Sequence, residues 1–368
     1  MFSHNGKVSV RQVEMMLILQ MFNTSVLLLP RIAANRVGRV GYILPIIALV
    51  FGVSYVYAII SLIDRFRGDT LVELAPKILP STLAYSLIIL FAIKILITTG
   101  LEIRMFGEMV SQVMLSKTPL SVIILTMLIA TAYLVKSGIE ATSRMAEILI
   151  YFIFIPLVIV FGLIVVKADY RQLMPFFETD AVSIGKGAFM ISLSFMPIEF
   201  MLMLAALMKQ PQKAKKAMLT AVISIAVVES LVIILTYVGI GFNEAKRQVW
   251  PVLTLMQSVQ FPGSLIENQQ ILMMTSWVFS IFMYVSGGIY FTSLIGSRAF
   301  KFKRENLFVL PVIPIIYFIA IFPQSLTQAY QYYVTFQRYF GIWFLVPIPL
   351  GLIVIAKVRK VGDKDGEV

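Results

Sequence analysis

The stretch KGAFMISLSFMPIEFMLMLAALMK, residues 186–209, is long and apolar enough to cross a bilayer, yet its middle carries Ser194, Phe195, Met196, Pro197, Ile198 and Glu199. Proline removes a backbone donor and clashes with the preceding turn, so backbone groups near Ser194 come free at membrane depth and need other partners. The segment is therefore expected to be a broken transmembrane helix. A bound ligand is one partner for the groups the break releases.

The rest of the chain agrees with a membrane setting. Of 368 residues, 59% are hydrophobic and only 14% charged, and the mean hydropathy is +0.89. These values lie outside the soluble globular range and indicate an all-α polytopic membrane protein. Cysteine is absent and His4 is the one histidine, so neither a disulfide framework nor a His/Cys metal site can be built. The usual general base is missing too, and neither an enzyme nor a cofactor is expected. The net charge of +12 comes from basic residues scattered among apolar spans, which suits orientation and anionic lipid better than nucleic acid. The leader MFSHNGKVSVRQ runs into a full-length span and is not read as a cleavable signal.

Apolar segments of about twenty residues suffice to span the hydrocarbon. Ten are expected, at 11–34, 40–63, 82–107, 119–136, 144–166, 187–208, 216–240, 270–297, 308–323 and 338–357. Placing the N-terminus in the cytoplasm puts about 19 Lys and Arg on the inner side and about 10 on the outer, so both termini are expected inside. In the outer connector Val249 to Gln260, Pro251 suits a first helical turn, and Val252, Leu253, Leu255, Met256 and Val259 recur at helical spacing. A short amphipathic helix is expected there, either an interfacial anchor or a lid over an outer vestibule.

The first span carries its own interruption at Phe22-Asn23-Thr24-Ser25, with Pro30 following. Asn, Thr and Ser compete for backbone hydrogen bonds and favour unwinding. The interrupted spans are the first and the sixth of ten, the same position in two halves of five, and an odd count per half inverts the second half. The expectation is an inverted-repeat membrane domain, 1–166 and 167–368, with paired discontinuous helices around a midplane site.

Charges at membrane depth cost several kcal/mol unless paired or hydrated. Lys94, Glu199 and Glu229 fall near the middle of spans three, six and seven, while Glu102, Arg104 and Glu108 lie further out along span three. Lys94 either forms a register-fixing salt bridge with Glu199 or Glu229, or holds a ligand carboxylate or exchanges a proton. Glu199 either caps the inner half-helix or meets a ligand ammonium or Lys94. Glu102, Arg104 and Glu108 read as helix-surface pairs or, for Glu102, Arg104 and Glu229, as a polar pathway. Half-helices starting near Ser25 and Ile198 would point N–H groups into the gap, and those ending near Phe22 and Leu193 would present carbonyls. That combination suits a zwitterion such as a small amino acid. The candidate ligand-binding residues are Asn23, Thr24, Ser25, Lys94, Thr98, Ser194, Phe195, Met196, Glu199 and Tyr284, with Met283, Ser286 and Gly287-Gly288 as further walls or packing.

LEIRMFGEMV at 101–110, KTPLSVIILT at 117–126, SFMPIEFML at 194–202, WPVLTLMQSVQFPGSLIE at 250–267 and LLLPR at 27–31 together resemble one family. It is the B subunit of the spore-germination nutrient receptors, the GerA/GerB type, within the amino acid/polyamine/organocation transporter superfamily. The resemblance covers nearly the whole chain. It implies a ten-helix LeuT-like inverted repeat in the inner membrane of a spore, partnered by a larger membrane A subunit and a C-subunit lipoprotein. It also implies sensing of a small-molecule nutrient, commonly an amino acid, and gives Glu102 the place of the family's span-three glutamate. Three positions depart from the family pattern. Asn23-Thr24-Ser25 replaces the usual glycines, Lys94 stands for an uncharged residue, often Tyr, and Pro197 stands for a common Gly, which opens the ligand to anionic or larger compounds. An active amino acid/proton symporter and a ligand-gated ion or water channel are the alternative readings.

Overall fold

The computed structural model describes residues 6–175, 179–258, 269–302 and 304–362. The chain runs through α1 (Val10–Met21), α2 (Thr24–Val37), α3 (Leu44–Arg65), α4 (Leu71–Ile78), α5 (Ser81–Val113), α6 (Leu120–Lys136), α7 (Gly138–Lys167), α8 (Ala181–Ile191) and α9 (Met201–Leu204). It continues through α10 (Ala214–Ile240), α11 (Phe242–Arg247), α12 (Pro251–Ser258), α13 (Gln269–Ala299), α14 (Val309–Ile321), α15 (Leu326–Tyr339) and α16 (Pro347–Val358). No strand forms among the described residues, as a lipid-exposed backbone requires, since a helix satisfies its own polar groups.

Among the described residues, seven helices are long and apolar enough to cross a membrane, and eight if α14 and α15, bent by 115°, count as one more. Every one of the ten expected spans contains helix, but not all cross alone. α1 has 12 residues and α14 has 13, each too short for a hydrocarbon layer of about 30 Å at about 1.5 Å per residue. The burial of the spans sorts them into centre and rim. The α13 window is 83% buried and the Ala181–Leu207 window 78%, against 33% for α7, whose outer stripe faces lipid. α1 packs against α7, α10, α13 and the 192–200 segment, while α5 packs along α13, α14 and α15.

Three expectations need correction. The last span was placed at 338–357, but helix begins again at Leu326. α15 folds back from α14 and buries Ala329, Tyr333 and Gln337, before a turn at Gly341–Phe344 leads into α16. The polar content of TQAYQYYVTFQRY hid this helix from a hydropathy reading, although Tyr333 and Gln337 are buried within it. The inner connector after α3 holds an unexpected helix, α4, started by a Thr70–Glu73 capping box and anchored by Arg298, 2.8 Å from Glu73. The outer helix α12 forms as expected, but Val252, Leu253, Leu255 and Met256 are buried against α2, α10 and α13, so its apolar face serves packing and not an interfacial anchor. Val259 and Gln260, with the rest of the family-like segment through residue 267, lie outside the described residues.

Candidate functional site

The break in the sixth span takes an unforeseen form. α8 ends at Ile191, and Ser192–Phe200 continues as nine residues of 3₁₀ helix before α9. Tighter i→i+3 bonding lets the chain pass Pro197 without leaving a gap of unpaired groups. The carbonyls near Leu193 and N–H groups near Ile198 are therefore not set out as the zwitterion cradle expected from the sequence. The first break is short, Phe22 and Asn23 alone, with α2 resuming at Thr24. Its one expected carbonyl, that of Phe22, already accepts a hydrogen bond from the Ser280 hydroxyl of α13. Asn23 is buried, and the side chains of Thr24 and Ser25 lie outside the described part of the molecule.

Side chains, not backbone, dominate the centre. Lys94 and Glu199 are each 1% exposed and form an ion pair joining α5 to the 3₁₀ segment. This selects Glu199 over Glu229 as the partner. The second carboxylate oxygen of Glu199 has no hydrogen bond. Lys94, Thr98 and Glu102 recur four apart and share one face of α5. The Thr98 hydroxyl donates to the Lys94 carbonyl at 3.0 Å, and Glu102 is fully buried. Tyr284 of α13 closes this face, its hydroxyl beside Thr98 and Tyr333 and within the field of Glu102 and Glu199. From Tyr333 the polar row continues to Gln337, whose amide donates to the Tyr333 hydroxyl at 3.4 Å.

This row ends at a cavity. A narrow space of about 50 Å³ is lined by Ser194, Tyr333, Gln337, Tyr330, Ile32 and Met190, among others. Ile32, Met190 and Tyr330 also line a wider vestibule of about 340 Å³ that carries Arg31, Asn35 and Arg36. The two spaces share these three residues as a common wall. Tyr333, on the cavity wall, adjoins Tyr284, which lies within the field of Glu199.

The remaining expected residues separate. Ser194 lies on the cavity wall with its hydroxyl unbonded, next to the buried carboxyl of Glu229, which itself makes no ion pair or formed hydrogen bond among the described residues. Phe195 points the other way, against Gly52 of α3, and leaves the pocket. Met196 turns its sulfur toward Gly341 beside Gln337. Arg104 is buried and bonded to Glu108 at 2.7 Å and to the Ala320 carbonyl at 3.3 Å. Sequence reasoning missed Tyr330, Tyr333 and Gln337. Their spacing of three and four was the available signal, inside a segment read as a connector.

The glycine pair of α13 does what its position suggested. A methyl group on Gly287 would overlap the Gln20 side chain, whose amide donates to the Met283 carbonyl at 2.7 Å, and one on Gly288 would overlap Thr99 of α5. Small residues here let α1 and α5 approach the α13 backbone closely. Gly288→Ala is expected to cost about 1–3 kcal/mol by overpacking. A drop in the melting temperature of the purified protein, relieved by adding Thr99→Ala, would verify this.

A helical membrane protein whose two interrupted helices pack together beside a buried ion pair has the build of a transporter-like protein. The chain belongs to the spore germination protein family, whose model matches residues 7–329. It is 28% identical over 372 residues to spore germination protein YndE of Bacillus subtilis (strain 168), covering 99% of this chain and 100% of that protein. Spore germination protein A2 of the same organism is 30% identical over 264 residues, 70% of each chain. Spore germination protein GerQB of Bacillus cereus is 24% identical over 360 residues, 96% of this chain and 97% of that protein.

Proposed function

We propose that this chain is the nutrient-sensing subunit of a spore germinant receptor, and that its nutrient is an amino acid bound between the two interrupted helices. The observation that carries the reading is the buried Lys94–Glu199 pair at the inner end of a polar row leading to a cavity. Two opposite charges held side by side present what a zwitterion needs. Its carboxylate takes Lys94, its ammonium takes Glu199, and the desolvation cost already met by the internal pair is not incurred again. Ser194, Tyr333 and Gln337 receive the ligand first, and Tyr284 yields to let it reach the pair. Because the ligand binds best where the internal pair has opened, it shifts the population toward that state.

The same reading places two inverted five-helix repeats at 1–166 and 167–368 in a LeuT-like arrangement. It also puts both termini in the cytoplasm, in the inner membrane of the spore, with a membrane A subunit and a C-subunit lipoprotein as partners. Family membership and the packing of α1 on the 192–200 segment support this arrangement. Spores carrying this chain as their only B subunit test the ligand assignment. Tyr284→Phe and Tyr333→Phe should each raise the amino acid concentration for half-maximal germination about 2- to 10-fold, the value of one hydrogen bond, with unchanged protein in the membrane. An unchanged response in both variants would exclude the site. Sustained uptake of radiolabelled amino acid into proteoliposomes, above an empty-vesicle control, would favour a working symporter over a receptor.

A further inference from the structure

The chain begins by stitching itself to the end of the broken span. The Val8 N–H donates to the Leu207 carbonyl at 2.9 Å, and the Lys209 N–H donates to the Val8 carbonyl at 2.8 Å, forming an isolated parallel bridge between Val8 and Met208. This bridge brings Arg11, at the start of α1, to the same opening as Lys209, Lys213 and Lys216 from the loop before α10 and its first turn. The opening holds about 400 Å³ and has Glu14 as its one carboxylate. Among the described residues none of the four cations makes an ion pair with a carboxylate. Four like charges converging on one concave space repel one another unless an anion lies between them.

The surroundings say which kind of anion. Arg11 donates to the Tyr151 hydroxyl on α7, and from that point α7 exposes Tyr151, Ile155 and Val158 along one stripe. Beyond Lys216, α10 exposes Ile223, Val227 and Leu231 at a spacing of four. Two apolar stripes on membrane-crossing helices therefore run away from a basic opening. A molecule with a phosphate head and acyl tails matches both features, whereas a free anion matches only the first.

We infer that Arg11, Lys209, Lys213 and Lys216 form a site for the phosphate headgroup of an anionic phospholipid. The lipid favours the state in which the start of the chain is bridged to the end of the broken span. Since the cations come from both sides of the bridge, opening it would part them, so the lipid binds the bridged state better and stabilises it.

The test uses the purified full-length protein, whose lack of cysteine permits clean labelling. Spin labels at Lys7→Cys and Gln212→Cys, both exposed, report the bridge. In nanodiscs of phosphatidylcholine containing phosphatidylglycerol, a single narrow distance is expected. In phosphatidylcholine alone the distribution should broaden toward longer distances. The double substitution Lys213→Gln and Lys216→Gln should make the two lipids equivalent and cut phosphatidylglycerol retained in native mass spectra at least 5-fold. Lys215→Gln should change nothing, because that ammonium lies over the Tyr57 ring at 4.3 Å, outside the opening. Equal distances in both lipids, an equal loss on Lys215→Gln, or full recovery of the narrow distance by inorganic phosphate in phosphatidylcholine discs would each overturn the lipid assignment.

Discussion

Lys94→Met alone is expected to destabilise the protein by about 3–5 kcal/mol, the usual consequence of leaving one member of a buried ion pair uncompensated. Glu199 is 1% exposed, and its one ionic partner among the described residues is Lys94. The single variant should therefore accumulate poorly in the membrane. The informative variant is the double one, Lys94→Met with Glu199→Gln. Replacing both charges removes the stranded carboxylate and should restore membrane levels to near those of the parent. Germination in response to an amino acid should nonetheless stay at least 100-fold less sensitive, because both charges that meet the zwitterion are gone; 100-fold corresponds to about 2.7 kcal/mol. A double variant that accumulates and germinates at the parental nutrient concentration would reduce the pair to a register device.

Ser194→Leu carries the second large effect. The Ser194 hydroxyl lies on the wall of the narrow cavity, beside the buried Glu229 carboxyl. A leucine side chain occupies much of a space of about 50 Å³ and separates the vestibule at Arg31 and Arg36 from Tyr333. Overpacking should cost about 1–3 kcal/mol. The nutrient concentration for half-maximal germination should rise at least 10-fold, while Ser194→Ala, which leaves the space open, should stay within about 3-fold of the parent. Protein levels by immunoblot separate blockage from misfolding. Equal sensitivity of Ser194→Leu and Ser194→Ala would show that access runs elsewhere.

Much of this arrangement was legible in the residues themselves. Lys94 and Glu199 could be singled out because charge at membrane depth demands a partner, and each proved to be the other's. At the expected break, Ser194–Pro197, the span does not open: Ala181–Leu207 stays one helical run that changes type there. Proline announces that α-helical bonding cannot continue, but not whether the chain opens or tightens, and here it tightens into 3₁₀ helix. Phe195 illustrates the cost of that difference. A residue read as lining a gap instead packs on Gly52, since the rotation per residue around a 3₁₀ segment differs from that around an α-helix. α15 was missed for a related reason. Hydropathy averages over the whole polar segment, whereas what holds α15 in place is the burial of Ala329, Tyr333 and Gln337 alone, the last two on the cavity wall.

The sequence by itself determined that this is a helical membrane protein, which charges lie buried at membrane depth, and where α-helical bonding in its sixth span cannot continue. These follow from the cost of exposing polar groups to hydrocarbon, a local property of each segment. Only the tertiary structure decided which carboxylate Lys94 meets, that Ser280 already takes the Phe22 carbonyl, and that Tyr284 and Tyr333 stand between the ion pair and the cavity. Those outcomes depend on how helices distant in the chain rotate and dock. The close approaches that set them, such as Gln20 on Gly287 and Thr99 on Gly288, are steric facts that exist only once the helices are packed.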